Sequence, residues 1–482
     1  MNTDESNGNR PTTKKQNIKR YEPFKSLIKF IFSFNAVFFV SIVYWLIWNN
    51  YYNKIIQMPF WRKGNWLMVA LYTILLIFFN RTYGGFKISY LKKRNLIWSQ
   101  ILSIIATNLI TYIQISLLDK RFHSVCPMLF MSFLEFGVVT IWVILFQWLY
   151  QKLFPARRLL LVYGSYPVFH LEEKIHFRED KYILAGAVSI GIGQEQIMRE
   201  ATQYDAVIIG DIPSHERNRL LKKCFEHSIR TYIVPKISDV LLRSSVELDV
   251  FDSPLLLSRN EELSIEQRYL KRLFDIVISF IGLILTLPCF AVIAVLIKIT
   301  DKGPVFYSQE RLTEHGKVFR IYKFRTMIQN AECQTGAMRA SIQDDRILPI
   351  GVFLRRMRLD ELPQLLNILK GEMSLVGPRP ERPELAREIE KEIPEFSYRL
   401  KFKAGLTGYA QVYGKYNTTF YDKLKLDLMY IRNHSLFLDL KLLLLTPKIL
   451  FMKESTEGVR QENPQREEVL WQMEKKERDK EL

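Results

Sequence analysis

The sequence has few cysteines and histidines, the residues that build zinc sites and disulfide frameworks. Its four cysteines stand far apart in 482 residues, and none belongs to a C-x-x-C pair. The seven histidines are scattered, so no zinc-ligand spacing is present. We therefore expect the cysteines, which are Cys126, Cys224, Cys289 and Cys333, to be reduced and structural, as in a cytosolic compartment.

Nucleotide- and nucleic-acid-binding signatures are also missing. No G-x-x-x-x-G-K-[ST] segment occurs, which argues against an ordinary NTPase. The formal net charge is +18, but no zinc-finger spacing, recognition-helix signature or RNA-binding motif accompanies it, so we expect no nucleic-acid partner. Because long apolar runs are present, anionic membrane lipids are the more economical partner for this charge.

The apolar residues of the first 150 positions form four runs of about 15–22 residues, close to the roughly 20 that a bilayer requires. Lysine and arginine are denser before the first run, between the second and third, and after the fourth. Both ends of this four-helix transmembrane unit, residues 23–152, should therefore face the cytoplasm. Residues 1–22 are polar, and the run after them is too long for a signal core, so we expect a disordered cytoplasmic N-terminus without a cleavable signal. The runs are Ile28–Trp48, Asn65–Phe79, Ile97–Leu118 and Leu129–Tyr150.

Residues 156–262 alternate short β-rich runs with polar helical stretches. RRLLLVYG, YILAGAVSI, YDAVIIGD and RTYIVPK are typical of buried parallel strands, with helices expected at Gln194–Thr202 and Ser214–His227. This pattern predicts a Rossmann-like α/β domain. The first strand ends in YGSYPV, where a dinucleotide site needs G-x-G-x-x-G. A degenerate structural or regulatory domain is therefore favoured over a cofactor-binding one.

The charge-free run Ile276–Ile297 is about 22 residues long, which is enough to span a bilayer. A full crossing, however, would carry the basic remainder of the chain to the side that disfavours lysine and arginine. Pro288 lies near the middle, where it kinks or breaks a helix. We therefore expect a re-entrant membrane helix over 273–299, with a full span as the alternative.

The rest of the chain combines short strands and helices with an excess of cations. PVFYSQERLTEHGKVFRIYKFRTM predicts a β-hairpin with its turn at Glu314–Lys317. Lys323, Arg325, Arg355 and Arg379 exceed the needs of the local acids, and guanidinium groups suit phosphate oxygens.

Two further segments contain prolines or glycines that restrict the backbone or allow it to pack closely. In Gly377–Pro380 two prolines limit how far Arg379 can stray. Gly405, Gly408 and Gly414 permit close backbone approach.

The stretch Arg355–Asn367 sets two adjacent carboxylates, Asp360 and Glu361, inside a leucine pattern of helical spacing. Successive helical side chains point about 100° apart, so the two face differently. One interpretation is a solvated, salt-bridged surface helix. The other is a phosphoryl-transfer site, in which an exposed Asp360 amid arginines has a lowered pKa, stays ionised and attacks phosphorus. Glu361 would then hold a hard cation such as Mg²⁺.

Five segments resemble the bacterial sugar transferases, or polyprenyl-phosphate hexose-1-phosphate transferases, in order and spacing across Gln267–Lys453. They are KRLFDIVIS, ITDKGPVFYSQER, FRIYKFRTM, RRMRLDELPQLLNILKGEMSLVGPRP and KAGLTGYAQVYG. The whole chain resembles the large form of the family. This resemblance implies an α/β membrane protein. Its phosphoglycosyl transferase catalytic domain would cover 267–453 and include the re-entrant helix, and a charged tail would follow at 454–482.

The resemblance implies an enzyme of the bacterial inner or plasma membrane whose catalytic domain lies on the cytoplasmic face. It would move a hexose-1-phosphate from a UDP-sugar to undecaprenyl phosphate, releasing UMP with Mg²⁺ as cofactor, to initiate exopolysaccharide, capsule or O-antigen synthesis. Asp360 matches the nucleophile of a covalent aspartyl-phosphosugar intermediate, and Glu361 matches the residue associated with the metal. Arg355 and Arg379 match positions linked to substrate phosphate, and Pro288 matches the membrane-helix break.

Two departures from the family pattern affect this assignment. Leu287 stands where family hairpins often carry Ser before the proline, with Thr286 one residue earlier, and Tyr413 stands where Asn is frequent. Two alternatives stay open: a non-catalytic membrane regulator or scaffold that has kept the fold, and a sugar-nucleotide oxidoreductase using the middle domain. Glucose or galactose is the favoured sugar, and the sequence leaves a homo-oligomer open.

Overall fold

The structure, a computed structural model, describes residues 21–164, 171–172, 175, 178–250, 252–258, 263–328, 346–415 and 418–450. Residues 1–20 of the expected disordered N-terminus, the charged tail and Cys333 lie outside the described residues. The other three cysteines are free thiols. The chain divides into two compact units, Met1–Lys236 and Ile237–Leu482.

The first unit begins with four long apolar helices, each of which is long and apolar enough to cross a membrane. They are α1 (Lys25–Ile47), α2 (Arg62–Tyr83), α3 (Lys93–Leu118) and α4 (Cys126–Leu153). A π-helical turn, Trp48–Tyr52, extends α1. The helices cover the four predicted runs, and the short second run extends at both ends to a helix of 22 residues.

The outer faces of these helices are apolar, and their inner face carries aromatic and polar side chains. Phe30 and Phe133 are 66% and 74% exposed. Trp48 and Tyr72 are buried at the centre. Since soluble proteins rarely leave such large apolar surfaces in water, this arrangement fits a lipid environment.

A four-stranded parallel sheet follows the helices. Its strands are β1 (Arg157–Tyr163), β2 (Tyr182–Ser189), β3 (Ala206–Ile209) and β4 (Thr231–Ile233), and their spatial order is β2-β1-β3-β4. Helices α5 (Gln194–Ala201) and α6 (Ser214–Glu226) connect the later strands. All four strands, both helices and the parallel sheet are confirmed. The order is that of doubly wound α/β folds.

The second unit begins inside the range that the sequence groups as the middle domain. Helix α7 (Ile237–Arg243) precedes an antiparallel hairpin of β5 (Val246–Val250) and β6 (Ser253–Leu257). Ile237 and Val240 of α7 pack into a core with residues near the end of the chain, Leu424 and Leu428 among them. These apolar contacts place α7 with the C-terminal unit.

Helix α8 (Ile265–Thr300) contains the predicted membrane run and continues through Pro288 without interruption. A kink or a break of the helix is expected at Pro288. The helical backbone is not broken at this residue. The hydroxyl of Thr286 donates to the carbonyl of Gly282 at 2.7 Å. The hydroxyl two residues before Pro288 therefore bonds one turn back along the helix.

The remaining elements form the α/β part of the second unit. β7 (Phe306–Leu312) and β8 (Val318–Phe324) make the predicted hairpin, which is confirmed, including its turn at Glu314–Gly316. Short parallel strands β9 (Ser374–Val376) and β10 (Gly405–Thr407) pair beside it. The helices are α9 (Pro349–Arg356), α10 (Gln364–Lys370), α11 (Pro383–Glu392), α12 (Tyr409–Tyr413), α13 (Phe420–Arg432) and α14 (Leu436–Leu450).

Candidate active site

The Asp360–Glu361 pair lies on a short 3₁₀ turn between two helices. The leucine pattern predicts one helix, but α9 ends at Arg356 and α10 begins at Gln364, with the 3₁₀ turn Leu359–Glu361 between them. Arg358 causes the interruption, because its φ of 53° places it in the left-handed region that side chains other than glycine rarely adopt. Strained backbone of this kind clusters at functional sites.

Glu361 is the centre of the charge cluster. Its Oε1 accepts hydrogen bonds from Lys323 Nζ at 3.0 Å and from Arg379 at 3.1 Å. Arg358 approaches Oε2 at 3.9 Å. The Glu361 residue is 8% exposed. Burial alone would raise the pKa of Glu361, but these three cations outweigh it and hold the pKa well below the usual range. Glu361 is therefore an anion that gathers cations.

The pKa of Asp360 shifts in the opposite direction to that of Glu361. Asp360, like Glu361, is 8% exposed as a whole residue. Burial raises the pKa of Asp360, and the charge of Glu361 adds to this rise, against the opposing charges of Lys323, Arg355 and Arg379. The predicted lowering of the pKa of an exposed Asp360 is therefore wrong, because the residue is buried and desolvation of the charged form wins. A partly desolvated carboxylate is a stronger nucleophile than a hydrated one.

Arg355 lies at the site, whereas Arg325 pairs with a residue at the end of α8. Arg355 donates from Nε to the hydroxyl of Thr326 at 2.8 Å, and its charge acts on Asp360. Arg325 is buried and contacts Asp301 at the end of α8, at 3.0 Å from its carboxylate. The side chain of Arg325 thus joins the end of α8 to β8, and its assignment to substrate phosphate stays a prediction.

The Gly377–Pro380 turn is held through its carbonyl oxygens. The Pro378 carbonyl accepts from Gly405 N at 2.9 Å. The Arg379 carbonyl accepts from Arg399 at 2.8 Å, and the Pro380 carbonyl accepts from Arg311 at 3.2 Å. Because prolines have no N–H, these distant donors replace the local bonds that a turn usually makes. We call Arg399 and Arg311 the turn clamp.

The carboxylates of Asp427, which is buried, and Glu381, which is partly buried, hold Arg399 of the clamp in place. Arg399 Nε donates to Asp427 at 3.0 Å, and its NH1 lies 3.7 Å from Glu381. Burial raises the pKa of Asp427 to about 6, against the attraction of Arg399. Sequence reasoning missed Arg399, Arg311 and Asp427. Arg311 stands in the quoted ITDKGPVFYSQER segment, where no role was assigned to it, and Arg399 and Asp427 lie outside the quoted motifs. Only their contacts mark these three residues.

The glycines contact backbone. A Cβ on Gly377 would lie 2.2 Å from the Lys403 carbonyl, and one on Gly408 would lie 2.1 Å from the Gly377 carbonyl. The close approach predicted for Gly405 and Gly408 is confirmed, because both lie against the backbone of Gly377. Gly414 instead lies against the carbonyl of Ala410 in the preceding helix, α12.

The described residues do not provide a ready Mg²⁺ site. No group of three or more His, Cys, Asp or Glu side chains in the described ranges could hold a metal ion. Mg²⁺ can bind through one or two carboxylates with substrate phosphates. Glu361, however, already accepts hydrogen bonds from two cations, Lys323 and Arg379. Both bonds go to Oε1, so Lys323 and Arg379 already occupy this oxygen. Metal binding at Glu361 and the Mg²⁺ requirement stay predictions.

Comparison with known proteins agrees with the resemblance of the motifs. Residues 266–453 match the family described as bacterial sugar transferase. A Bacillus subtilis protein, provisionally named as an undecaprenyl-phosphate N-acetylgalactosaminyl 1-phosphate transferase, is 50% identical over 135 residues, covering 28% of this chain and 75% of that protein. The chain belongs to the bacterial sugar transferase family.

Other members of the bacterial sugar transferase family match longer segments. The Aeromonas hydrophila UDP-N-acetylgalactosamine-undecaprenyl-phosphate N-acetylgalactosaminephosphotransferase is 39% identical over 50% of this chain and 57% of its own length. The Salmonella typhimurium undecaprenyl-phosphate galactose phosphotransferase is 34% identical over 60% of this chain and 66% of its own. The chain thus spans between about half and two thirds of these two relatives. Their names differ in the sugar.

Proposed function

We propose that this bacterial sugar transferase moves a sugar-1-phosphate from a UDP-sugar to undecaprenyl phosphate, releasing UMP and beginning the synthesis of a surface polysaccharide. The observation that carries the proposal is the buried Asp360 beside a cluster of cations gathered by Glu361. A nucleophilic carboxylate and cations suited to phosphate oxygens are what phosphoryl transfer requires.

The steps follow from these side chains. A carboxylate oxygen of Asp360 attacks the sugar-bearing phosphorus of the UDP-sugar, and the bond from that phosphorus to the bridging oxygen breaks, so UMP leaves. A phosphate oxygen of undecaprenyl phosphate then attacks the same phosphorus, which frees the Asp360 carboxylate. Lys323, Arg355 and Arg379 offset the charge that develops on the phosphoryl oxygens. Mg²⁺, when bound with the substrate phosphates, would add to this neutralisation.

A UMP-release assay tests the function. Purified full-length protein is incubated with undecaprenyl phosphate, Mg²⁺ and, in separate reactions, UDP-glucose, UDP-galactose or UDP-N-acetylgalactosamine. We expect UMP from one of these donors, with an undecaprenyl-diphospho-sugar product. Release of no UMP from any UDP-sugar would instead support a non-catalytic membrane regulator or scaffold.

Helix α8 would bring the site to the membrane surface. Near its start, Arg272 donates to the carbonyls of Ile368 and Leu369 at 2.6 and 2.7 Å. Near its end, Ile297 packs in one cluster with Phe324 of β8 and Leu354 of α9. The central side chains are exposed and apolar; Leu285, for example, is 72% exposed. Because both ends contact the same α/β unit, we propose that α8 enters and leaves by one membrane face, the cytoplasmic one.

Cysteine labelling tests this topology. Single cysteines at Lys302 and Lys317, in a background lacking the native cysteines, should stay unlabelled by an impermeant maleimide in intact cells and react after lysis. A cysteine at Trp61, in the connection between α1 and α2, should react from outside because that connection is expected on the outer face. Labelling of position 302 or 317 in intact cells would show that α8 spans the membrane.

The pH dependence of the rate follows from the raised pKa of Asp360. The nucleophile must be ionised, so the rate should fall as pH decreases through a pKa above that of an ordinary aspartate. The charge of Arg355 lowers this pKa, and Arg355→Gln should move the acid limb to higher pH. The exposed neighbour variant Arg356→Gln should leave the limb in place. The measurement is kcat/KM as a function of pH. If the acid limb of Arg355→Gln lies at the wild-type pH, Arg355 does not act on the ionisation of the nucleophile.

The turn clamp predicts that Arg399 acts through Arg379. Arg399→Lys keeps the charge near Asp427 but loses the fork that also reaches the Arg379 carbonyl. We expect kcat/KM for UMP release to fall about tenfold in the wild-type background and less than twofold in an Arg379→Ala background, since coupled residues are non-additive.

A matched control separates this coupling from general destabilisation. Lys425→Gln removes another buried cation, one that pairs with Asp422 and not with the turn. Its effect should be the same in both backgrounds, and thermal unfolding reports the stability of each variant. Equal losses for Arg399→Lys in both backgrounds would make Arg399 a general structural residue.

A further inference from the structure

Three half-buried lysines of the first unit make no ion pair within the described part of the chain. Lys25 and Lys29 lie one turn apart at the start of α1, and Lys181 directly precedes β2. The ammonium groups of Lys29 and Lys181 stand over the same ring, that of Tyr90, at 5.9 and 5.3 Å from its centroid. Lys25 stands 5.2 Å from the ring centroid of Phe154. Aromatic rings thus support these charges.

The acids that lie close to the lysines are taken by arginines. Glu22 accepts from Arg157 at 2.7 Å and from Arg230 at 2.8 Å, and both bonds go to the same oxygen. Asp180 pairs with Arg178 at 2.8 Å. Within the described residues, these two carboxylates are thus already paired with three guanidinium groups, and neither forms an ion pair with one of the three lysines.

The surplus of positive charge shows in the titration of Lys181. Burial, and then repulsion by Arg178, lower the pKa of Lys181 to about 7, although Asp180 opposes the shift. Lys25 and Lys29 add to the repulsion. Basic residues flank membrane helices generally, but there they extend into water. Here they converge, so an anion placed among them would relieve repulsion at several groups at once.

The surface beside these lysines is apolar. Phe24 and Leu27, at the start of α1, are 55% and 53% exposed, and Phe30 is 66% exposed. A ligand that satisfies both features has an anionic head and a hydrocarbon chain. A free phosphate or a nucleotide would use the charges but leave these side chains in water.

We propose that Lys25, Lys29 and Lys181, with Tyr90, form a binding site for the phosphate of a membrane lipid whose chains lie along the start of α1. The site belongs to the first unit, whereas Asp360 belongs to the second, and it does not depend on the proposed reaction. It gives the N-terminal unit a function of its own, the recognition of anionic lipid at the membrane surface.

Native mass spectrometry of the full chain in detergent tests the site, with phosphatidylglycerol and phosphatidylcholine of matched chains as probes. We expect wild type to bind one phosphatidylglycerol at least about tenfold more tightly than phosphatidylcholine. Lys29→Gln/Lys181→Gln should weaken phosphatidylglycerol binding roughly 30-fold, as expected for two basic groups near an anionic head. The control Lys93→Gln/Lys152→Gln removes the same charge from exposed flanks and should change binding less than twofold.

A second measurement needs no variant. Acylation of Lys181 by an amine-reactive ester at neutral pH, mapped by peptide mass spectrometry, should be slowed by phosphatidylglycerol and not by phosphatidylcholine. Equal protection by millimolar inorganic phosphate would mean that the cluster takes any phosphate, and the lipid assignment would be wrong. Equal binding of both lipids, or unchanged binding in the Lys29/Lys181 variant, would also overturn the proposal.

Discussion

Asp360→Asn should reduce UMP release by at least about a thousandfold, because the amide cannot form the acyl-phosphate bond. The same change should leave the free energy of unfolding within about 1 kcal/mol of wild type. The buried site already raises the pKa of Asp360 and so disfavours its charge. An uncharged group of the same shape is therefore tolerated. Initial rates of UMP release and thermal unfolding of the same preparation measure the two effects.

An exposed carboxylate of the same unit supplies the control. Asp249 is exposed on β5, and Asp249→Asn should keep both rate and stability. Near-normal turnover in purified Asp360→Asn would remove Asp360 as the nucleophile. A large loss of stability would instead show that its charge supports the fold.

Glu361→Gln should lower both the rate of UMP release and the free energy of unfolding. Asp360→Asn, in contrast, should leave the free energy of unfolding nearly unchanged. Glu361 accepts from Lys323 and Arg379 and faces Arg358. Without its charge these cations repel one another. Removing one partner of a buried charge cluster costs about 3–5 kcal/mol, but Arg379 is 44% exposed and solvent will screen part of this. We expect a loss of about 2 kcal/mol and a rate loss of about a hundredfold.

A Mg²⁺ titration of the Glu361→Gln variant separates the two roles of Glu361. If Glu361 gathers cations, as its contacts indicate, the variant should unfold more easily while its rate keeps the wild-type Mg²⁺ dependence. If Glu361 held the metal, the Mg²⁺ concentration for half-maximal rate should rise severalfold with little change in stability. The matched variant Glu310→Gln removes an exposed acid of β7 and should change neither property.

The sequence predicted the regular elements well because hydrophobic periodicity and turn residues are local signals. The parallel strands, the β7–β8 hairpin and the long apolar helices are all present at the predicted positions. Pro288 shows the limit of a local rule: a helix whose neighbouring Thr286 bonds one turn back continues through the proline.

The charge state of the site could not be predicted from residue types. The sequence places Asp360 among arginines, but it does not show that the side chain is buried or that Glu361 collects the cations. Arg358 interrupts the helix by a left-handed backbone conformation that arginine seldom adopts. The turn clamp joins Arg399 to a carbonyl 20 residues away. Contacts of this kind depend on tertiary packing, which no spacing pattern contains.

The central claim, a covalent phosphosugar on Asp360, is tested most directly by intact and peptide mass spectrometry of the enzyme with its UDP-sugar and no undecaprenyl phosphate. The account expects one sugar-phosphate adduct on the peptide that contains Asp360, UMP equal to the adduct, and loss of the adduct when undecaprenyl phosphate is added. UMP release that requires undecaprenyl phosphate, with no adduct at any time, would contradict it and indicate direct transfer between the two substrates.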